Sequence, residues 1–290
     1  MSANKTGAGF MILAMGAFAL EDSFFKAATQ LTSVSSALIS FGLMGLVIFA
    51  SLSLRAGEAV WHPACLKRTM LIRSAFELMG RLFFGLALAH APLSSTSAIL
   101  QAAPIVVTLG AIFIFGEAVG WRRWIAMALG FLGVLVVIRP GFESFQITSL
   151  YALLATIGFA GRDLATRASP PAMSTAQLGS LGFAVLTVAG LLLSALESTV
   201  PSLPTGQSLH LTAGAAIVGV LAYASLTRAM RAGDVGFVAP YRYTRLVFAL
   251  LIAFTVFGER PDPLTLLGAT IIVLAGLYSF SRARSAGSGQ

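Results

Sequence analysis

The chain matches itself at an offset of 141 to 142 residues, and the matching parts are long apolar runs. Phe115-Gly116-Glu117 falls on Phe257-Gly258-Glu259, each triplet closing one apolar run and preceding another. Ala87 through Ala98 falls on Ala229 through Pro240. Phe18-Ala19, Asp22 and Lys26 fall on Phe159-Ala160, Asp163 and Arg167. Each half holds five runs. An odd number of spans forces the second copy to enter the membrane from the opposite side, and inverted repeats of that kind build a central site that faces the two sides alternately. The expected fold class is all-α integral membrane: ten transmembrane helices as two inverted five-helix repeats around a central cavity. Residues 1–144 would form the first repeat and 145–290 the second.

Composition agrees. The chain is 57% hydrophobic and 10% charged, with a mean hydropathy of +0.87. A soluble domain carries roughly 25% charged residues, so this chain is built for lipid. Its net charge of +8 does not point to nucleic acid, because no long basic stretch lies outside the apolar runs. The single cysteine, Cys65, excludes an internal disulfide, and His62, His90 and His210 stand too far apart for metal-ligand spacing. No metal or cofactor is expected. The apolar run Phe10 to Leu20 behind Lys5 imitates a signal peptide, but cleavage there would remove half of one repeat's first span, so a retained helix is expected.

Ten spans are expected near 8–28, 34–54, 69–90, 93–115, 121–139, 148–168, 174–196, 209–230, 236–257 and 262–282. Eleven basic residues fall in loops on the side of the N-terminus, and three (Lys26, Arg139, Arg260) on the other. Both termini are therefore expected in the cytoplasm, in a bacterial-type inner membrane. Asn4-Lys5-Thr6 is a glycosylation triplet on that same side and is discounted. Pairs of small residues (Gly42 and Gly45, Ala126 and Gly130, Gly214 and Gly219) mark helix contacts. Pro104 in the fourth span, and Pro240 after Gly233 and Gly236 in the ninth, are breakers in corresponding places, the usual pointer to a transport site.

The Ala-Leu-rich segments and the two Phe-Gly-Glu endings resemble the drug/metabolite transporter superfamily, in particular its ten-helix branch with tandem EamA domains. The chain carries Glu21-Asp22 where many relatives have a small-aromatic pattern. The resemblance implies a secondary transporter or facilitator of amino acids, nucleotide sugars, S-adenosylmethionine, other metabolites or drugs. It implies a basket in which spans 1, 3, 4, 6, 8 and 9 line a cavity while 5 and 10 pack outside.

Ten ionisable residues lie within the spans: Glu21, Asp22 and Lys26 in the first, Arg73, Glu77 and Arg81 in the third, Arg162 and Asp163 in the sixth, and Arg242 and Arg245 in the ninth. A charge at mid-bilayer costs roughly 2.5–3.5 kcal/mol on insertion scales, so such residues mark a site or pair with one another. Arg73, Glu77 and Arg81 step by four, as do Asp22 and Lys26. At that spacing Glu77 can pair with either arginine and leave the other free. Structural ion pairing is the competing reading of both sets, and snorkelling that of Arg73 and Lys26. The candidate substrate-binding set is Glu21, Asp22, Glu77, Arg81, Gln101, Arg162, Asp163, Tyr223, Tyr241, Arg242, Tyr243 and Arg245. Guanidinium, carboxylate and aromatic surface together suit a zwitterion, so the partner expected is a small molecule, an amino acid to be exported, handled by a monomer in the lipid bilayer. Uptake or exchange of a nucleotide-like molecule, S-adenosylmethionine or an organic anion, or drug export, is the alternative. An enzyme is not expected: no Ser-His-Asp set, His-Glu-x-x-His or Asp-rich phosphate motif is present. A channel fits the inverted repeat less well than a carrier, and without a Walker motif ATP is not the direct energy source.

Overall fold

A computed structural model of the protein describes residues 3–116, 120–139, 146–167, 173–198, 200–232 and 238–287. Glu117, Gly233 and Gly236 lie outside them.

Among the described residues, ten spans follow one another, close to the expected positions. They are α1 (Ala3–Thr29), α2 (Val34–Arg55), α3 (Arg68–His90), a fourth span in two pieces, α4 (Leu93–Leu100) and α5 (Ala103–Phe115), then α6 (Trp121–Ile138), α7 (Ser149–Arg167), α8 (Thr175–Leu196), α9 (Gly206–Ala232), a ninth span whose 3-10 turn (Ala239–Tyr243) runs into α10 (Thr244–Thr255), and α11 (Pro263–Gly287). By length and composition alone, five stretches among the described residues would cross a membrane, the fourth span included.

The helix ends follow from local chemistry. Ser33 caps α2 by accepting the Ser36 N–H, and Ser174 and Gln177 form a capping box on α8. The glycine of the repeated Phe-Gly-Glu has one job in both halves. Gly116 and Gly258 take left-handed φ of 66° and 63° just past α5 and α10, where a side chain would be strained. The fourth span breaks at Gln101-Ala102, ahead of Pro104. That proline stands in the first turn of α5, where its missing N–H costs no helical bond. Pro240 stands likewise in the 3-10 turn that opens the ninth span.

Packing obeys the repeat. Exchanging the halves swaps α1 with α7 and α3 with α9, so the contact of α1 with α9 is exchanged with that of α7 with α3. Helix α2 packs on its mate α8, and α6 on its mate α11. Small residues allow these approaches. A Cβ on Gly45 would enter the Phe183 ring, one on Gly158 would meet the Gly80 backbone at 2.5 Å, and Gly133 and Gly268 face each other's carbonyls. Aromatic rings (Phe25, Phe41, Phe183, Phe49, Tyr223) touch in sequence through the centre of the first core cluster. Val47, Ile217, Leu251 and Leu274 face outward and stay exposed, as a lipid-facing surface requires.

Candidate functional site

The charged residues of four spans meet in one cluster at the middle of the bundle. Glu77 is its hub. Its side chain has no exposure. Arg73 approaches it at 2.9 Å, Arg162 at 3.7 Å and Arg81 at 3.8 Å. Neither arginine of the stripe is left free: α3 and α7 pack so closely that both arginines of the stripe and one from the facing helix converge on it. Gly182 makes the room, since a Cβ there would stand 3.2 Å from Glu77 Oε1. Gly219 does the same for Glu21, at 3.1 Å. Arg81 links the two carboxylates, reaching Glu21 Oε1 at 3.6 Å. The Arg73 side chain also donates to Thr166 Oγ1 at 3.0 Å, so it is held inside the bundle and does not snorkel.

Two aspartates flank this hub. Asp163 accepts from Arg162 at 2.8 Å and faces Arg242 at 3.6 Å. Asp22 accepts from Arg245 at 2.6 Å. Asp22 and Lys26, four residues apart on α1, do not pair, because α10 lies alongside α1 and offers a guanidinium at the level of Asp22. Lys26 turns elsewhere. It donates to the carbonyls of Leu88 (3.1 Å) and Ala91 (2.6 Å) at the end of α3 and pairs with Glu259 at 3.8 Å. Glu259 in turn accepts the N–H groups of Leu93 and Ser94 and the Ser94 hydroxyl, capping α4 across the repeat boundary. This junction ties together the ends of the first, third, fourth and ninth spans on the face away from the N-terminus.

Other predicted residues have distinct places. Gln101 donates to the Tyr243 carbonyl at 3.1 Å and the Arg242 carbonyl at 3.5 Å, so it holds the broken start of the ninth span. Tyr223 stands edge-on to Phe49. Tyr241 packs with Met11, Met15 and Val238. The Tyr243 ring lies against Gly276 of α11, away from the charged cluster.

The cluster holds five guanidiniums (Arg73, Arg81, Arg162, Arg242, Arg245) and four carboxylates (Glu21, Asp22, Glu77, Asp163), one positive charge in excess. Its access is one-sided. Asp163 and Arg242 keep 27% and 34% side-chain exposure, while Asp22, the repeat mate of Asp163, keeps 2%. The half nearer the termini is reachable and the far half is shut under the Lys26–Glu259 junction. The sequence pattern did not show the glycine pockets behind Glu77 and Glu21, nor Glu259 as a helix cap. Only the Gly-Glu spacing gave a signal for Glu259.

The EamA-like transporter family matches the chain twice, over residues 5–139 and 146–281. The chain is 31% identical over 202 residues to an S-adenosylmethionine uptake transporter of Rickettsia felis, 68% of each chain. It is 28% identical over 281 residues to a riboflavin transporter of Vibrio cholerae, 93% of this chain and 91% of that one. A crystal structure of a protein at 18% identity shares the fold, with a TM-score of 0.63 over 98% of both chains.

Proposed function

Because the chain belongs to the EamA-like transporter family, and is thus a multi-pass small-molecule transporter and not an enzyme, we propose that its cargo is a zwitterion with an amino-acid head group, exported across the inner membrane by alternating access. The observation that carries this reading is the Asp163–Arg242 pair. Arg242 is the most exposed guanidinium of the cluster, and its partner stands at 3.6 Å. A cargo carboxylate would take the bidentate guanidinium face of Arg242 and a cargo ammonium the free side of Asp163. Each cargo charge then meets an opposite charge of the pair.

The site bears on cargo chemistry and not on direction. Export is our reading. Uptake of S-adenosylmethionine is the second, favoured by the name of the Rickettsia relative. That molecule also carries an amino-acid head, and its adenine would find aromatic surface on Phe18, Phe84 and Phe159, which already face guanidiniums.

Counterflow in proteoliposomes tests the cargo class. Labelled L-methionine and S-adenosylmethionine serve as probes, and unlabelled methionine or methioninamide as competitor. The acid should compete and the amide should not, and Arg242→Ala should remove that discrimination. Equal competition by acid and amide in the unmodified protein would refute carboxylate recognition. Uptake and efflux in vesicles of opposite sidedness separate the two directions.

A further inference from the structure

The repeat places the same three-part arrangement twice. On α7, Phe159 and Asp163 stand one turn apart, and Arg162 lies 5.1 Å from the Phe159 ring while donating to Asp163 at 2.8 Å. On α1, Phe18 and Asp22 stand one turn apart, and Arg245 lies 5.1 Å from the Phe18 ring while donating to Asp22 at 2.6 Å. Phe18 and Phe159 are repeat mates, as are Asp22 and Asp163. The two arginines are not mates, since one comes from the same helix and the other from α10. The same chemistry is therefore assembled by different routes. The two aspartates lie toward opposite ends of the bundle, because Asp22 is one turn from Lys26 at the far junction and Asp163 one turn from the near end of α7.

The α1 set is buried yet incompletely satisfied. Glu21 Oε2, beside it, and Arg245 Nε are both buried without a hydrogen-bond partner among the described residues. A buried charged group left short of a partner costs on the order of 1–3 kcal/mol or more. Asp22, the Phe18 and Phe84 rings and Arg81 offset part of that cost but leave these two atoms without a hydrogen bond. A ligand that reaches the set when the far face opens would supply the missing acceptor and donor.

We propose that Phe18, Asp22 and Arg245 form a second binding station for the same zwitterionic cargo, used when the carrier faces away from its termini, as Phe159, Asp163, Arg162 and Arg242 are used when it faces toward them. Cargo carboxylate passes from Arg242 to Arg245, one helical turn along the ninth span, and cargo ammonium from Asp163 to Asp22. The proposal rests on the zwitterion reading above.

Side-specific half-saturation tests it, in exchange mode with saturating cargo on the opposite face. The probe is whichever of labelled L-methionine and S-adenosylmethionine exchanges. Asp163→Asn should raise KM on the face of the termini about tenfold or more, the size of a lost charged hydrogen bond, and change it less than about twofold on the other face. Asp22→Asn should do the reverse. Phe18→Leu keeps both charges and guards against misfolding. It should follow Asp22→Asn in side and direction, with an unchanged elution profile in detergent. If Asp22→Asn and Phe18→Leu leave KM unchanged on both faces, or if each variant raises both KM values alike, there is one station and the proposal is wrong. Exchange of neither probe, or equal competition by the amide, refutes the zwitterion reading and with it this proposal. Intact acid-over-amide discrimination with symmetric KM changes overturns the second station alone.

Discussion

Phe41 and Phe183 occupy the same position in the two repeats, and their rings meet edge-on with centroids 5.4 Å apart. Residues that touch their own mates lie on the axis that relates the halves. Gln101 and Tyr243 are a second such pair, joined by the 3.1 Å hydrogen bond. The axis therefore runs from the α2–α8 contact through the breaks in the fourth and ninth spans, past the charged cluster. The close approach at Phe183 requires glycine at position 45, since any Cβ there would enter the ring. Gly45→Leu should cost about 1–3 kcal/mol, the usual range for overpacking, read as a lower melting temperature in detergent. An unchanged melting temperature would show that α2 and α8 part freely.

Glu77 predicts a different loss. It has no exposure and holds three arginines within 3.8 Å. Removing its charge strands buried cations, which typically costs about 3–5 kcal/mol. Glu77→Gln should lower thermal stability in detergent as well as transport. A variant that melts like the parent protein but does not transport would instead make Glu77 a cargo ligand.

The Lys26–Glu259 junction should act as the closure of the far face. In a Cys65→Ser background, a cysteine at Ser97 lies buried beneath it. Glu259→Gln weakens the pairing with Lys26 and the cap on α4, so it should speed labelling of that cysteine by an impermeant maleimide added from the far face. Equal labelling rates with and without the substitution would remove the junction from gating.

Asp262 stabilises the start of α11 and ties it to Arg139 at the end of α6. Burial works against its charge, but hydrogen bonds from the Thr265 side chain and backbone and the Arg139 guanidinium outweigh it and hold the carboxyl below its ordinary range. A depressed folded value means that the stabilisation is whole at neutral pH and is lost as pH falls through that folded value. Asp262→Ala should cost about 1 kcal/mol at neutral pH, as capping losses do. Asp262→Asn should be less stable than the parent at neutral pH and equal to it in acid. A deficit that persists in acid would locate the effect in shape and not in charge.

Orientation is checked through Cys65, which sits in the partly exposed 3-10 turn Pro63–Leu66 between α2 and α3. With eleven basic residues expected on that side, an impermeant maleimide should label it in inside-out vesicles and not in intact spheroplasts. The opposite result would invert the carrier in the membrane.

Element positions were legible in the sequence because each depends on a local run of apolar residues and on the Gly116 and Gly258 stops. Most charges of the central cluster could be named from the sequence, since charges within spans have few places to go, but the candidate set omits Arg73, which stands nearest to Glu77. Pairing was not legible. Asp22 is four residues from Lys26, and helical spacing alone joins them. Only the lateral contact of α1 with α10 brings Arg245 closer and frees Lys26 for the carbonyls of α3. The same holds for Glu77: spacing names Arg73 and Arg81, but Arg162 arrives through the glycine-lined contact of α3 with α7. Pairing across helices depends on packing distances that no spacing rule contains.

The difference between Asp22 and Asp163, 2% against 27% exposed, bears on energy conservation in the cell. The two aspartates share one sequence position, yet only one meets water. A pore wet at both would let ions and cargo run down together and would dissipate the gradients that power everything else. Two near-copies that settle into unlike shapes keep one doorway shut while the other stands ajar. Insulation of the membrane is thus a property of the duplication itself.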